Sequence, residues 1–307
     1  MNRKDFLFLI SAMVYSIMNL NLFTEENRNE INPIPTREIP NTKDKIPILG
    51  FGTWKVFDVE VNETNLKKLS EVWHTFITHG GRLVDSSPMY GNSENFIGHL
   101  FEKYNREDIF FATKVWTEGK KEGLKQIEHS FQKMNVTNMN LFQVHNLLDL
   151  KTQLNTLRDL KEKGKIKYIG VTHYLPSYFS KMEEIIKKEK LDFIQIPYSI
   201  SLRDAEKRIL PLAKDKGIAV LINRPFEGGD LFSKFLKKPI DSKLSEMNIH
   251  SWAELFIRFL TANTNLTCIL FASSKPHHVA ENMNAAKKPL LEKQDLSKAY
   301  NIFLENL

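Results

Sequence analysis

From Ile46 onward, short apolar runs alternate with longer segments of helical periodicity, and the pair recurs eight times. The runs fall near residues 48–53, 82–85, 109–114, 140–145, 168–171, 193–196, 218–222 and 267–271. Their length and their bounding turn residues read as strands. The segments between them place apolar residues three and four apart, as in Leu150, Leu154, Leu157 and Leu160, or Leu124, Ile127, Phe131 and Met134. That spacing puts side chains on one helix face able to cover a strand pair. Gly80, Gly164 and Gly217 stand where helices must stop before the next strand, and glycine takes the left-handed conformation that stops them. Ser251 is placed to cap a helix burying Trp252, Leu255, Phe256, Phe259 and Leu260. Eight such units predict an α/β chain closed into a (β/α)8 TIM barrel.

With 307 residues, 42% of them hydrophobic, the chain can bury one large core, and a single barrel domain is expected over residues 29–307. An open doubly wound sheet is excluded. It would need a glycine-rich turn after the first strand, and here Gly50-Phe51-Gly52 is followed by the bulky Thr53-Trp54-Lys55. The 43 basic and 37 acidic residues are interspersed, so the net charge of +6 describes a solvated surface and not a nucleic-acid partner. Cys268 is alone and sits in an apolar run, which rules out an intrachain disulfide and suits a core thiol. Residues 1–28 differ from the rest, with a basic start and an apolar stretch from Phe6 to Phe23. Arg3-Lys4-Asp5-Phe6-Leu7 looks like a twin-arginine export signal whose second arginine has become lysine, so a periplasmic and a cytoplasmic location both stay open. Ser11, Ser16, Asn19 and Asn21 argue against a spanning helix, and no integral membrane domain is expected. Residues 24–43 read as a polar linker into the barrel. The oligomeric state is left open, with a monomer expected.

Asp85, Lys114 and His145 each close one of the apolar runs, and Tyr90 follows five residues after Asp85. In a barrel of parallel strands these C-terminal strand ends converge on one face, where such folds place their chemistry. Singly, each has a bland reading as a turn residue, a solvated strand end or a packing side chain. Their joint occurrence favours an active site.

Several stretches resemble the aldo-keto reductase family. They are Ile46-Pro47-Ile48-Leu49-Gly50-Phe51-Gly52-Thr53-Trp54, Gly81-Arg82-Leu83-Val84-Asp85-Ser86-Ser87-Pro88-Met89-Tyr90-Gly91 with Glu94 and Gly98, and Ala112-Thr113-Lys114-Val115-Trp116. Leu141-Phe142-Gln143-Val144-His145, Gly164-Lys165-Ile166-Lys167-Tyr168-Ile169-Gly170-Val171, Gln195 and Glu281-Asn282 continue the match, which covers roughly residues 31–286. The resemblance implies a barrel that binds a nicotinamide cofactor without a Rossmann domain, closed at its base by an N-terminal hairpin such as residues 38–48. It implies reduction of a small-molecule aldehyde or ketone to the alcohol.

The chemistry of the four residues agrees with that implication. A carbonyl that accepts hydride develops negative charge on oxygen and needs a proton donor. Tyr90 can be that donor, since a neighbouring ammonium such as Lys114 lowers the reference phenol pKa of about 10. Asp85 would keep Lys114 charged and aimed, and His145 would hydrogen-bond the substrate oxygen. By the resemblance, Gln195, Thr172 and His173 hold the nicotinamide amide, with His173 standing where the family has Asn. The stacking aromatic falls at Asn223, which leaves Phe226 as a candidate for stacking on the ring.

Arg224 lies where it could meet the pyrophosphate, or else form a strand-end salt bridge. The adenosine phosphate region falls at Ser273, Lys275, His278 and Asn282, with Ala272 and His278 where the family has Lys and Arg. NADPH is the first expectation and NADH is close behind; no metal is expected. Trp54 and Trp116 either wall the substrate pocket or fill the barrel. The segment 224–250, with Gly228-Gly229, could fold over the cofactor as a lid. Two other functions stay open at this level: a nucleotide-binding sensor or regulatory barrel without significant turnover, and a Schiff-base lyase using Lys114.

Overall fold

Eight parallel strands close on themselves in the computed structural model, which describes residues 33–103, 108–235 and 237–307. Residues 1–28 and the export reading placed on them lie outside the described residues. The barrel strands are β3 (Leu49–Gly52), β4 (Leu83–Asp85), β5 (Phe110–Val115), β6 (Met139–His145), β7 (Ile166–Thr172), β8 (Phe193–Pro197), β9 (Ala219–Asn223) and β10 (Cys268–Phe271). Neighbours in sequence are neighbours in the sheet, and β10 returns to pair with β3. Each predicted apolar run is therefore a barrel strand, within one or two residues at its ends.

Helices follow the strands: α1 (Glu63–Thr78), α2 (Ser93–Leu100), α3 (Lys120–Met134), α4 (Leu150–Glu162), α5 (Phe179–Lys188) and α6 (Ile209–Asp215). The expected stops are present, with φ of 93° at Gly80, 70° at Gly164 and 64° at Gly217. After β9 come α7 (Asp230–Phe235), α8 (Ser242–Glu246) and α9 (Trp252–Ala262), then α10 (Pro276–Lys287) and α11 (Lys293–Glu305) after β10. The segment expected to be a lid thus contains two short helices, whose Leu231, Phe235 and Leu244 are buried. Ser251 caps α9 by accepting the Glu254 N–H at 3.1 Å. On α3 the buried face is Gly123, Ile127, Ser130 and Met134, so Leu124 is turned outward, contrary to the periodicity reading. Gln153 on α4 packs closely against that face, and its Oε1 would lie 2.3 Å from a β-carbon at Gly123.

Most of the core lies between the strands and the helix layer. A second apolar cluster, with Leu83, Leu141, Tyr168, Phe193, Leu221 and Leu270, joins the barrel strands to Ile39 and Ile46. These two isoleucines belong to an antiparallel hairpin, β1 (Thr36–Glu38) with β2 (Lys45–Pro47). Asp44 in its turn accepts the Tyr168 hydroxyl at 2.5 Å and pairs with Lys167 at the start of β7. Over its described part, residues 33–43, the linker reading is corrected: Ile34 and Ile39 are buried, and Arg37 donates to the carbonyls of Thr261, Asn263 and Leu266 at the end of α9. Polar composition concealed the segment because, among its described residues, only Ile34 and Ile39 enter the core.

Gly170 on β7 lies where a β-carbon would come 2.6 Å from the Phe193 carbonyl oxygen. That oxygen belongs to backbone and cannot step aside. Gly170→Ala is expected to lower folding stability by about 1–3 kcal/mol, readable as a lower midpoint in urea unfolding.

Candidate active site

The end of β4 holds the most heavily partnered carboxylate of the barrel interior. Asp85 Oδ2 accepts from Lys114 Nζ at 2.6 Å, and Asp85 Oδ1 accepts from Gln143 Nε2 at 3.0 Å and from Gln195 Nε2 at 3.1 Å. The four residues come from β4, β5, β6 and β8. Alternation along each strand aims them into one volume. Lys114 is wholly buried and also donates to the Ser86 carbonyl at 2.6 Å. Burial alone would discharge it, but Asp85 and then Tyr90 hold it above its ordinary lysine value. An ammonium held by Asp85 at 2.6 Å lacks the free amine that a Schiff-base lyase needs, which argues against that alternative.

Lys114 Nζ lies 4.8 Å from the centre of the Tyr90 ring. Burial lifts the Tyr90 phenol above its ordinary value, while Lys114 pulls it down and Asp85 pushes it up. The net direction is upward, opposite to the sequence argument, because removing phenolate from water outweighs the one nearby cation. Tyr90 therefore stands as a protonated O–H donor. The His145 ring lies 5.7 Å from that of Tyr90 and almost perpendicular to it, and its Nδ1 is 2.9 Å from Ser87 Oγ. Burial, Lys114 and His173 together drop the His145 pKa to about 2, so the imidazole is neutral.

The residues expected around the nicotinamide adjoin this group. Thr172 Oγ1 donates to Gln195 Oε1 at 3.3 Å, and Asn223 Nδ2 reaches the same oxygen at 3.4 Å. Asn223 Oδ1 is buried without a hydrogen-bond partner. His173 Nδ1 accepts the Leu175 N–H at 3.1 Å, which leaves the proton on Nε2 as a donor, and the ring stacks on Tyr178 at 3.6 Å between centres. Phe226, the candidate for stacking on the nicotinamide, is buried and packs on Phe232, 4.8 Å between ring centres, and Phe256. Arg224, at a φ of 52°, donates to the Glu227 carbonyl at 3.0 Å, so its contact there is with backbone and not a carboxylate.

Ser273 accepts the Lys275 N–H at 3.2 Å at the turn into α10. Lys275 and His278 are exposed at the start of that helix, and Asn282 is buried one turn further on. His278 is held below its ordinary value by a partial loss of water around its ring and by the neighbouring His277 and Lys275. Among the described residues, no hydrogen bond joins these side chains to the Asp85 network. Trp54 and Trp116 are 42% and 39% exposed, which removes the alternative that they fill the barrel. Ser87 and Gln143 stood inside the quoted motifs without any role assigned, and only the folded contacts single them out.

The sequence model described as the aldo/keto reductase family matches residues 48–301. The chain belongs to the aldo/keto reductase family. It is an NAD(P)H-dependent oxidoreductase, and carbonyl reduction is the chemistry its relatives share. Aldo-keto reductase YhdN of Bacillus subtilis is 26% identical over 302 residues, which covers 84% of this chain and 90% of that protein. The NADH-specific methylglyoxal reductase of Escherichia coli is 24% identical over 293 residues, with 77% and 89% covered. Among solved structures, an aldo/keto reductase from Klebsiella pneumoniae in complex with NADP and acetate superposes with a TM-score of 0.73 at 18% identity, over 85% of this chain and 93% of that one. This last likeness is one of fold. Among the described residues of this aldo/keto reductase, no helix is long and apolar enough to cross a membrane.

Proposed function

We propose that this aldo/keto reductase reduces an aldehyde or ketone to the alcohol with Tyr90 as the proton donor. The observation that carries the reading is the buried Lys114 ammonium, fixed by Asp85 at 2.6 Å and set 4.8 Å from the Tyr90 ring centre. When bound, the reduced nicotinamide supplies hydride to the carbonyl carbon. His145 hydrogen-bonds the carbonyl oxygen and orients it. As charge develops on that oxygen, the Tyr90 O–H bond breaks and its proton passes to the oxygen. The phenolate left behind sits beside Lys114, which stabilises it until solvent returns a proton. Burial keeps Tyr90 protonated beforehand, and Lys114 is most effective when the phenolate forms.

The polar lining fits a carboxamide. The unpartnered Asn223 Oδ1 would accept an amide N–H, and Gln195, Thr172 and His173 Nε2 offer further groups. At the start of α10, Lys275, Ser273 and the helix N-terminus suit phosphate, with Asn282 and His278 close by in sequence. NADPH is the expected cofactor and NADH the second. Since Trp54 and Trp116 stand exposed after β3 and β5, a carbonyl compound with an apolar or aromatic body is the expected substrate class.

Titrating the purified chain with NADPH and NADH by protein fluorescence, then adding aldehydes including methylglyoxal and following loss of the reduced nicotinamide absorbance, tests the reading. Turnover supports it. Cofactor binding without turnover on any carbonyl points instead to a sensor. His278→Arg is expected to tighten NADPH by about tenfold and leave NADH unchanged, because a permanent guanidinium replaces an uncharged imidazole near the phosphate. Equal gains for the two cofactors would move that phosphate away from His278.

A further inference from the structure

We propose that Ser87 sets the tautomer of His145, making the ring nitrogen Nε2 the protonated one and so the donor to the substrate oxygen. The proposal rests on the reductase reading above and adds a positioning residue to it.

Ser87 is wholly buried. Among the described residues its Oγ has two partners, the Met89 backbone N–H at 3.2 Å and His145 Nδ1 at 2.9 Å. Met89 N–H can only donate, so Ser87 Oγ accepts from it. The His145 ring is uncharged, so one of its nitrogens carries a proton and the other a lone pair. Were the proton on Nδ1, the ring would donate to Ser87. The serine oxygen would then accept twice, and its own O–H would be buried with no acceptor. The other arrangement satisfies every group: Met89 donates to Ser87, Ser87 donates to Nδ1, and the proton resides on Nε2. Native interiors strongly avoid buried donors without partners, and the geometry selects this second arrangement.

Nε2 has no protein partner among the described residues, and the ring faces Tyr90 edge-on with 5.7 Å between centres. The site thus offers two neutral donors on neighbouring rings, the Tyr90 O–H and the His145 Nε2–H. A ring in the opposite tautomer would present a lone pair to the carbonyl oxygen and repel it. The same logic holds at His173, where the Leu175 N–H occupies Nδ1. There the backbone does what Ser87 does at His145.

The test is a long-range proton–nitrogen correlation spectrum of the full chain labelled with nitrogen-15 histidine, with the His145 signals assigned by their loss in His145→Gln. The expected spectrum shows His145 protonated at Nε2 alone. Ser87→Ala is expected to give a mixture of tautomers and to lower kcat by about tenfold, the worth of one hydrogen bond, with cofactor affinity unchanged. Ser87→Thr, which keeps the hydroxyl, is expected to restore the Nε2–H form and most of the kcat. A wild-type ring protonated at Nδ1, or a pure Nε2–H ring in Ser87→Ala, would overturn the proposal. The spectrum needs no substrate, so a failure to turn over any carbonyl would sink the reductase reading and leave the tautomer result standing on its own.

Discussion

Tyr90→Phe is expected to lower carbonyl turnover by about 10²–10⁴-fold, the range that positioned proton donors contribute. Cofactor affinity should hardly move, because the substitution removes one oxygen and keeps the ring over Lys114. The matching pH dependence has a definite sign. Reduction needs Tyr90 protonated, and burial holds its pKa above the ordinary phenol value. The reductive rate should therefore be sustained through neutral and mildly alkaline pH, and fall only where the phenol ionises. Steady-state rates of wild type and Tyr90→Phe across pH, alongside fluorescence titration of NADPH, check both statements. Retention of wild-type turnover in Tyr90→Phe would remove Tyr90 from the reaction.

Lys114→Met is expected to destroy turnover and to cost about 3–5 kcal/mol of folding stability, because it leaves the Asp85 carboxylate buried without its cation. The two losses have separate causes, and a second substitution parts them. Asp85→Asn added to Lys114→Met removes the stranded charge, so the double variant should regain most of the lost stability while turnover stays absent. Urea unfolding monitored by circular dichroism, paired with activity, reads the two quantities independently. A double variant as unstable as Lys114→Met would mean that packing around the lysine stem, and not its charge, supports the fold.

The barrel was legible in the sequence because its signals are local. An apolar run such as Phe110–Val115 or Met139–His145, bounded by turn residues and followed by a segment of helical period, announces a strand without reference to the rest of the chain. The short helices α7 and α8 and the hairpin strand Thr36–Glu38 were less visible, since a segment of three to six residues completes too little of any period. In the candidate site, strand-end positions revealed which side chains converge. Ser87 and Gln143 stayed hidden because their partners, His145 and Asp85, are each 58 residues distant. The direction of the Tyr90 shift was hidden for a related reason: the sequence names the cation beside the phenol, whereas the loss of water around it exists only after folding.

The Asp85 carboxylate touches side chains from three other strands, and this bears on how the barrel finds its alignment. Sliding β5 by one residue along β4 would turn Lys114 toward the helix layer and leave Asp85 without its cation. A slip of β6 or β8 would forfeit the glutamine contacts in the same way. Mispaired barrels thus carry an electrostatic penalty that apolar strands, interchangeable in shape, would not impose. The cluster proposed to do the chemistry also proofreads the pairing of the strands that hold it.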